Sequence, residues 1–417
     1  MMRNGDVSFW ATGIGLAATR PPLDGDAEAD VVIVGAGYTG LWTAYYLTEL
    51  DPTLSVLVLE REHVGFGASG RNGGWLTNEI TGGRERYARE YGRAVAESFQ
   101  DELTAAVDEV IRVLDRNGVD AHVARGGEFF VARNGAQHRR LLRRAEEAKR
   151  WPNLGYRLLD ADEARSRIAI AGTRGAIVQP DAARIHPAKL VAGLAGLVER
   201  RGVTIHESTP ALELTPGTVT TPRGTARARY VIRATEGYTS TLPGLRRSWL
   251  PMSSSMIVTE PLAPEVWDEI GWAGRELVED NAHVYIYSQR TADDRIAIGG
   301  RGVPYRSNWT EDLRGETPER TAQALAATLR SMYPVLGDVR VAHRWSGVFA
   351  VPRDWRPSIM LDRESGMGWA GGYVGTGVTA ANLAGRTLAE LMTGTESVRT
   401  TLPWVGHTVR PWEAEAL

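Results

Sequence analysis

The sequence contains no cysteine. That excludes a disulfide framework, a thiolate nucleophile and any metal site built on thiolates. Lysine is nearly absent: Lys149 and Lys189 are the only two, and the rest of the 48 basic residues are arginine. No apolar run is long enough to span a bilayer; Val31 to Leu47 comes nearest and is broken by Gly35, Gly37 and Gly40. The N-terminus has neither the basic start nor the apolar core of a secretory signal, so a cytoplasmic protein is expected. A net charge of −3 gives no electrostatic reason to expect nucleic acid or an anionic membrane as partner. No internal repeat or low-complexity segment stands out. No His/Asp/Glu spacing suggests a metal site and no Ser-His-Asp arrangement a hydrolase. Ser69 sits in a glycine loop, and His186 and His343 read as structural.

What is present starts with Asp30 to Glu60. An apolar run, Val31 to Val34, turns through Gly35-Ala36-Gly37-Tyr38-Thr39-Gly40 into a helical segment, Leu41 to Leu50. A second apolar run, Val56 to Leu59, then ends on Glu60. Strand, glycine turn, helix, strand and acid form the dinucleotide-binding pattern. Gly35 allows the tight turn, Gly37 leaves room for a pyrophosphate and Gly40 lets helix and strand pack closely. The helix start offers its N–H groups to phosphate, and Glu60 is placed for a ribose hydroxyl pair. Gly366 to Gly371 matches the same glycine spacing without a following helix or acid, and reads as a turn between strands.

At 417 residues and 43% hydrophobic content the chain has room for two to three domains. Residues 1–27 are loop-like; Ser8-Phe9-Trp10 admits packing against the body or a frayed tail. Gly65 to Trp75 is glycine-dense but carries Ser69, Arg71 and Asn72, which suits close approach of backbone to a ligand. Helices are expected over 94–117, 137–150, 187–201, 318–333 and 378–393, and strands over 128–132, 203–207, 230–235, 255–259, 284–288 and 295–299. Arg139, Arg140, Arg143 and Arg144 read as a solvated helix face. Strand alternation puts Tyr285 and Tyr287 on one face, as a pocket roof or as core. Trp369 to Gly377 is a second glycine-rich entrance to a helix, with its N-terminal dipole. The resulting division is one discontinuous nucleotide-binding domain (28–83, 176–245 and 341–396), a second domain (84–175 and 246–340), an N-terminal arm (1–27) and a tail (397–417).

Four stretches carry a resemblance: GAGYTG (35–40) with Glu60, GASGRNGG (67–74), ATEG (234–237) after a strand, and GGYVGTG (371–377) before the last helix. Together they resemble the D-amino-acid oxidase-like family of FAD-dependent amine oxidoreductases, nearest to its γ-glutamylputrescine oxidase-like, glycine oxidase and sarcosine oxidase group. The resemblance runs over roughly residues 8 to 415. It implies a Rossmann-like FAD domain of α/β type, interleaved with a substrate domain of α+β type on a mainly antiparallel sheet, as in the glutathione-reductase-like flavoproteins. It implies hydride transfer from a carbon next to an amine nitrogen to flavin N5, hydrolysis of the imine, and reoxidation by O2 or another acceptor. No protein side chain is then required as catalyst. The cofactor-binding positions carried over are Gly35, Gly37, Tyr38, Thr39, Gly40, Glu60, Arg61, Ala68, Ser69, Gly70, Arg71, Asn72, Gly73, Gly74, Ala211, Thr235, Gly372, Tyr373, Gly375, Thr376 and Gly377. Those for substrate are Trp75, Tyr285, Tyr287, Trp345, Phe349 and Tyr373.

Departures from the family pattern narrow the reading. Members acting on α-amino acids place a carboxylate-clamping Arg four residues after the Trp of a W-x-G segment. Here that segment is Trp345-Ser346-Gly347-Val348-Phe349, followed by Asp354 and Pro357, and Phe349 occupies the Arg position. A phenyl ring cannot supply the paired donors a carboxylate needs; if a carboxylate is held, Arg301 or Arg353 is the first alternative. The cysteine that tethers flavin in sarcosine oxidase-like members is missing, and Arg71 replaces the histidine of dimethylglycine-oxidising relatives, so FAD is expected to be non-covalent. Thr376 stands where such oxidases carry an oxygen-activating lysine. An FAD monooxygenase is disfavoured by the absence of a GD-containing third motif. A non-catalytic FAD subunit is disfavoured by the intact loops that would line the flavin.

Overall fold

The computed structural model describes residues 2–16, 18–300 and 314–413. The apolar runs read above form the centre of one sheet. Ala27–Val34 pairs in parallel with Val56–Leu59 on one side and with Gly224–Arg233 on the other. Thr204–His206 extends it beyond Val56–Leu59, and Met367–Gly371 lies parallel to the end of Gly224–Arg233. Val31 to Val34 are buried on both faces, as parallel strands between layers require. The helices Tyr38–Leu50 and Gly377–Thr393 cover one face and cross at Gly385, where a Cβ would come 2.7 Å from Thr43 N. The Glu213–Thr215 and Thr218–Thr221 hairpin extends the sheet, and Val219 packs with Val32, Leu57 and Leu59 on the opposite face.

A second sheet has nine strands, in the order Arg3–Asn4, Val341–Val351, Leu250–Thr259, Ile296–Gly300, Ile286–Arg290, Leu277–Asp280, Glu128–Ala132, Gly175–Gln179 and Arg157–Leu159. All neighbours are antiparallel except the first pair and the Leu277–Asp280/Glu128–Ala132 pair. Its outer face, with Phe129, Ile257, Val278 and Ile298, packs against Leu325 and Leu329 of the Glu319–Met332 helix. Its inner face turns Ser254, Glu279, Tyr287 and Phe349 toward the glycine loops of the first sheet. A two-stranded ribbon, Trp75–Thr77 with Ala182–Arg184, follows the glycine loop.

Several expectations are corrected here. Residues 176–179 and 341–351 were assigned to the nucleotide-binding unit, yet they run in the nine-stranded sheet, in the strands Gly175–Gln179 and Val341–Val351. Gly175–Gln179 is buried on both faces and so reads like a parallel strand, whereas Val341–Val351 is only partly buried and its pairing with Leu250–Thr259 is a tertiary property. The second GxGxxG match is largely strand: Gly366 turns at φ +71° and Met367–Gly371 then enters the first sheet. The N-terminal arm is ordered through Arg3–Asn4, which pairs with His343–Arg344, and through the Phe9–Thr12 helix capped by Ser8. Of the four arginines read as solvated, Arg144 lies over the Phe130 ring, 3.5 Å from its centre, and faces Glu279 at 3.6 Å; Arg140 donates to Asn281 O. In the tail Trp404 is buried and Trp412 donates to Val351 O. Among the described residues no helix is long and apolar enough to cross a membrane, and no cluster could hold a metal ion.

Candidate active site

Between the two sheets lies one long cavity, bounded at one end by Leu59 and Glu60 and lined further along by Tyr285, Tyr287 and Phe349. Its first wall is the glycine turn. Gly35 stands at φ +111°, and a Cβ there would sit 2.5 Å from Ala234 O. A Cβ on Gly40 would overlap Gly35 O, so this glycine serves the contact between turn and helix and lies outside the lining. Gly37 caps the Tyr38–Leu50 helix with no side-chain bond, and the first turn holds no acid. A Cβ on Gly37 would stand 2.9 Å from Ser69 Oγ, which itself accepts Tyr38 N at 2.8 Å. Bare backbone at a helix N-terminus, crossed by a second loop, forms a cradle for a pyrophosphate. At the next strand end Glu60 accepts Ala36 N at 2.8 Å and Glu62 N at 3.0 Å, and burial raises its pKa.

The second loop is fixed from several sides. Asn72 donates to Ala68 O and Ser69 O and accepts Gly74 N at 2.8 Å. Arg71 is buried over the Phe66 ring, with Nε 2.6 Å from Phe66 O. The arm holds this loop from behind: Ser8 Oγ donates to Gly70 O at 2.7 Å and Trp10 Nε1 to Asn72 O at 2.9 Å. Arg61 stacks on Tyr238, 4.8 Å from its centre.

The third element is the Gly377–Thr393 helix. Its N-cap, Thr376, makes no side-chain cap, and Gly375 turns at φ +100° with open space where a Cβ would be. Tyr373 OH reaches Thr39 Oγ1 at 3.1 Å and so joins the two helix entrances; burial raises the phenol pKa. These elements, with Ala211 and Thr235 also in the lining, fit an extended dinucleotide with a ring system at the second helix.

At the far end, Tyr287 is held between Gly73 and Gly299, where any Cβ would strike its ring, and bonds Ser254 Oγ through its hydroxyl at 2.7 Å. Trp75 meets it edge-on, with ring centres 6.3 Å apart. Two carboxylates the sequence reading passed over, Glu79 and Glu279, line the cavity too. Burial raises Glu279 well above the usual carboxylate range, with Arg144 opposing.

Of the expected site residues, Gly40, Gly70, Gly74, Gly372 and Trp345 lie behind the lining. Trp345 was expected against substrate. The structure places it wholly buried against Trp10 and Phe9, its Nε1 donating to Arg71 O at 2.8 Å, so it supports the loop. Trp345, Gly347 and Phe349 share one face of the strand; the physical reason is the arm, whose Phe9 and Trp10 cover Trp345 while Gly347 and Phe349 stay open to the cavity. His186 caps a helix and His343 faces Gly5 O, both away from the cavity. Arg353 pairs with Glu413, and Arg301 lies outside the described residues. The clearest omission is Glu236, a buried lining carboxyl pushed up to about 7 by burial; its place in the ATEG stretch after a strand was the signal that could have found it.

Known proteins agree with this geometry. A family model described as FAD dependent oxidoreductase (DAO) matches residues 30–391. The chain is 31% identical over 393 residues to the gamma-glutamylputrescine oxidoreductase of Escherichia coli (strain K12), covering 93% of this chain and 89% of that one. It is 24% identical over 382 residues to the sarcosine oxidase subunit beta of Rhodobacter capsulatus, covering 87% and 84%. Glycine oxidase from Geobacillus kaustophilus has the same fold, with a TM-score of 0.74 at 19% identity over 89% of this chain and 96% of that one. The chain therefore belongs to the FAD-dependent oxidoreductase (DAO) family and is an FAD-dependent amine or amino acid oxidoreductase.

Proposed function

We propose that the enzyme oxidises the C–N bond of an amine that carries no α-carboxylate. The observation that carries this is the lining around Phe349, which is Tyr285, Tyr287 and Trp75 with Glu79 and Glu279. The two arginines of the lining, Arg61 and Arg71, both stand over the Phe66 ring, and Arg71, which also abuts Gly347, directs its Nε to Phe66 O. The Escherichia coli relative is named for gamma-glutamylputrescine, whose terminal amine has no carboxylate on the adjacent carbon, and this supports the same substrate class.

Bound FAD supplies the hydride acceptor. The chain's own residues do the rest. Gly35 to Thr39 and Ser69 would hold the pyrophosphate and Glu60 the ribose hydroxyls, and the Gly377 helix entrance would offer its positive dipole to the flavin. Glu79 and Glu279 line the pocket with oxygen acceptors for an amine N–H, and the aromatic walls favour the amine's uncharged form by desolvation, leaving the nitrogen lone pair free. Cation–π contact holds the charged form with about 0.5–2 kcal/mol. Nothing in this sequence of roles requires a protein base.

Anaerobic bleaching of the flavin by a panel of amines, polyamines, γ-glutamyl amines and N-methyl amino acids tests the reading. Amines without an α-carboxylate are expected to exceed glycine, D-alanine and sarcosine in kcat/KM by at least about tenfold, or 1.4 kcal/mol of transition-state binding. A preference for a simple α-amino acid defeats the proposal.

We also propose that the reduced enzyme passes electrons to acceptors other than O2 at least as readily as to O2. Lys149 pairs with Glu146 and Lys189 with Asp120, and neither lines the cavity. Turnover with an artificial dye should match or exceed turnover in air. Stopped-flow reoxidation by O2 as fast as in efficient oxidases would show that another cation replaces the lysine.

A further inference from the structure

We propose that Glu236 is a positioning residue whose carboxylate ties the turn opening the last helix to the strand that carries Phe349. It rests on the FAD reading of the cavity. One oxygen accepts Ala350 N at 3.2 Å and the other Gly372 N at 2.8 Å. Tyr373 N donates to the same carboxylate. Ala350 follows Phe349 in the strand, and Tyr373 bonds Thr39 at the first helix entrance, so one side chain joins the substrate wall to both cofactor helices.

Independent features show that the chain is shaped around this tie. Glu236 stands at φ +41°, in the left-handed region that a side-chain-bearing residue adopts only where its surroundings enforce it. A Cβ on Gly371 would lie 2.6 Å from Glu236 Oε2 and 2.8 Å from the Trp249 ring, so the residue before the tied turn has room for a hydrogen only. The charged and titratable groups that face the carboxyl are Arg233 and the Tyr373 phenol. Arg233 is spent elsewhere: it lies between Trp249 and Trp369, 4.6 Å and 5.5 Å from their ring centres, and donates to Thr239 Oγ1 at 2.7 Å. Burial brings the carboxyl to about 7, so the tie is complete above that pH and loses an acceptor below it.

The test is FAD binding to the apoprotein, followed by flavin fluorescence from about pH 6 to about pH 8.5. Glu236→Gln keeps the shape but turns an N–H toward one of the backbone donors. It is expected to bind FAD about tenfold more weakly than wild type at the alkaline end and within about twofold at the acid end, where the wild-type carboxyl is protonated too. Glu236→Asp keeps the charge but falls one methylene short; it is expected to bind FAD weakly while retaining the pH step that Glu236→Gln lacks. Unchanged affinity in both variants, or a loss in Glu236→Gln that is the same at every pH, overturns the proposal. Failure of wild-type apoprotein to take up FAD overturns instead the cofactor reading on which it rests.

Discussion

Gly37→Val is expected to abolish FAD binding while leaving the chain folded. The position is an N-cap at φ −88°, a backbone region open to any residue, so the substitution carries no conformational strain. It acts through space. A Cβ already comes 2.9 Å from Ser69 Oγ, and the two methyl groups of valine would fill the gap between turn and loop that the pyrophosphate needs. The helix N–H groups are then covered, and the affinity lost is at least about hundredfold, near 2.7 kcal/mol. Wild-type protein should be yellow and release FAD, not FMN, on acid denaturation, with no flavin left in the pellet. The variant should be colourless with an unchanged far-ultraviolet circular dichroism spectrum. Gly40→Val makes the contrasting case: its Cβ would overlap Gly35 O, so turn and helix would separate and the fold itself should be lost. A Gly37→Val protein that still binds FAD tightly would remove the phosphates from this turn.

The nucleotide-binding half was legible because local rules determine it. The run Val31 to Val34, the spacing of Gly35, Gly37 and Gly40, and Glu60 after a second apolar run all lie within one βαβ unit, where neighbours in sequence are neighbours in space. The second sheet was harder. Leu250–Thr259 extends through Met252 to Ser255, a stretch with too little apolar alternation to read as strand, because its partner Val341–Val351 supplies the pairing from about ninety residues away. Trp345 and Phe349 show the same limit at the site. Both belong to the W-x-G segment in which the chain departs from the family pattern, but only the tertiary position of the arm decides that one ring faces Trp10 and the other the cavity. Glu79 and Glu279 were missed since an isolated glutamate carries no pattern, and Glu236, although inside the ATEG stretch, is singled out only by its burial and its backbone partners Ala350 and Gly372, which are properties of the folded chain.

The same cavity makes Phe349→Arg the most direct probe of substrate choice, with an expected loss of about hundredfold in kcat/KM for amines, near 2.7 kcal/mol. Phe349 pairs with Met252 across the strands and shares the cavity with Glu79 and Glu279. Gly347, two residues earlier on the same strand face, already abuts Arg71. A second guanidinium placed there meets one of two fates. If it stays unpaired it repels the substrate ammonium and gives up solvation. If it pairs with Glu279 it takes an acceptor away from the amine and displaces Arg144 from its contact at 3.6 Å. Both lower amine turnover, and both favour a substrate that brings its own carboxylate, so the ratio of α-amino acid to amine activity should rise. Phe349→Leu keeps the wall apolar and should retain activity within a few-fold, with flavin absorbance confirming cofactor content in each variant. Amine turnover in Phe349→Arg equal to wild type would place the reacting end of the substrate away from this strand and leave Tyr285 and Tyr287 as the walls to test.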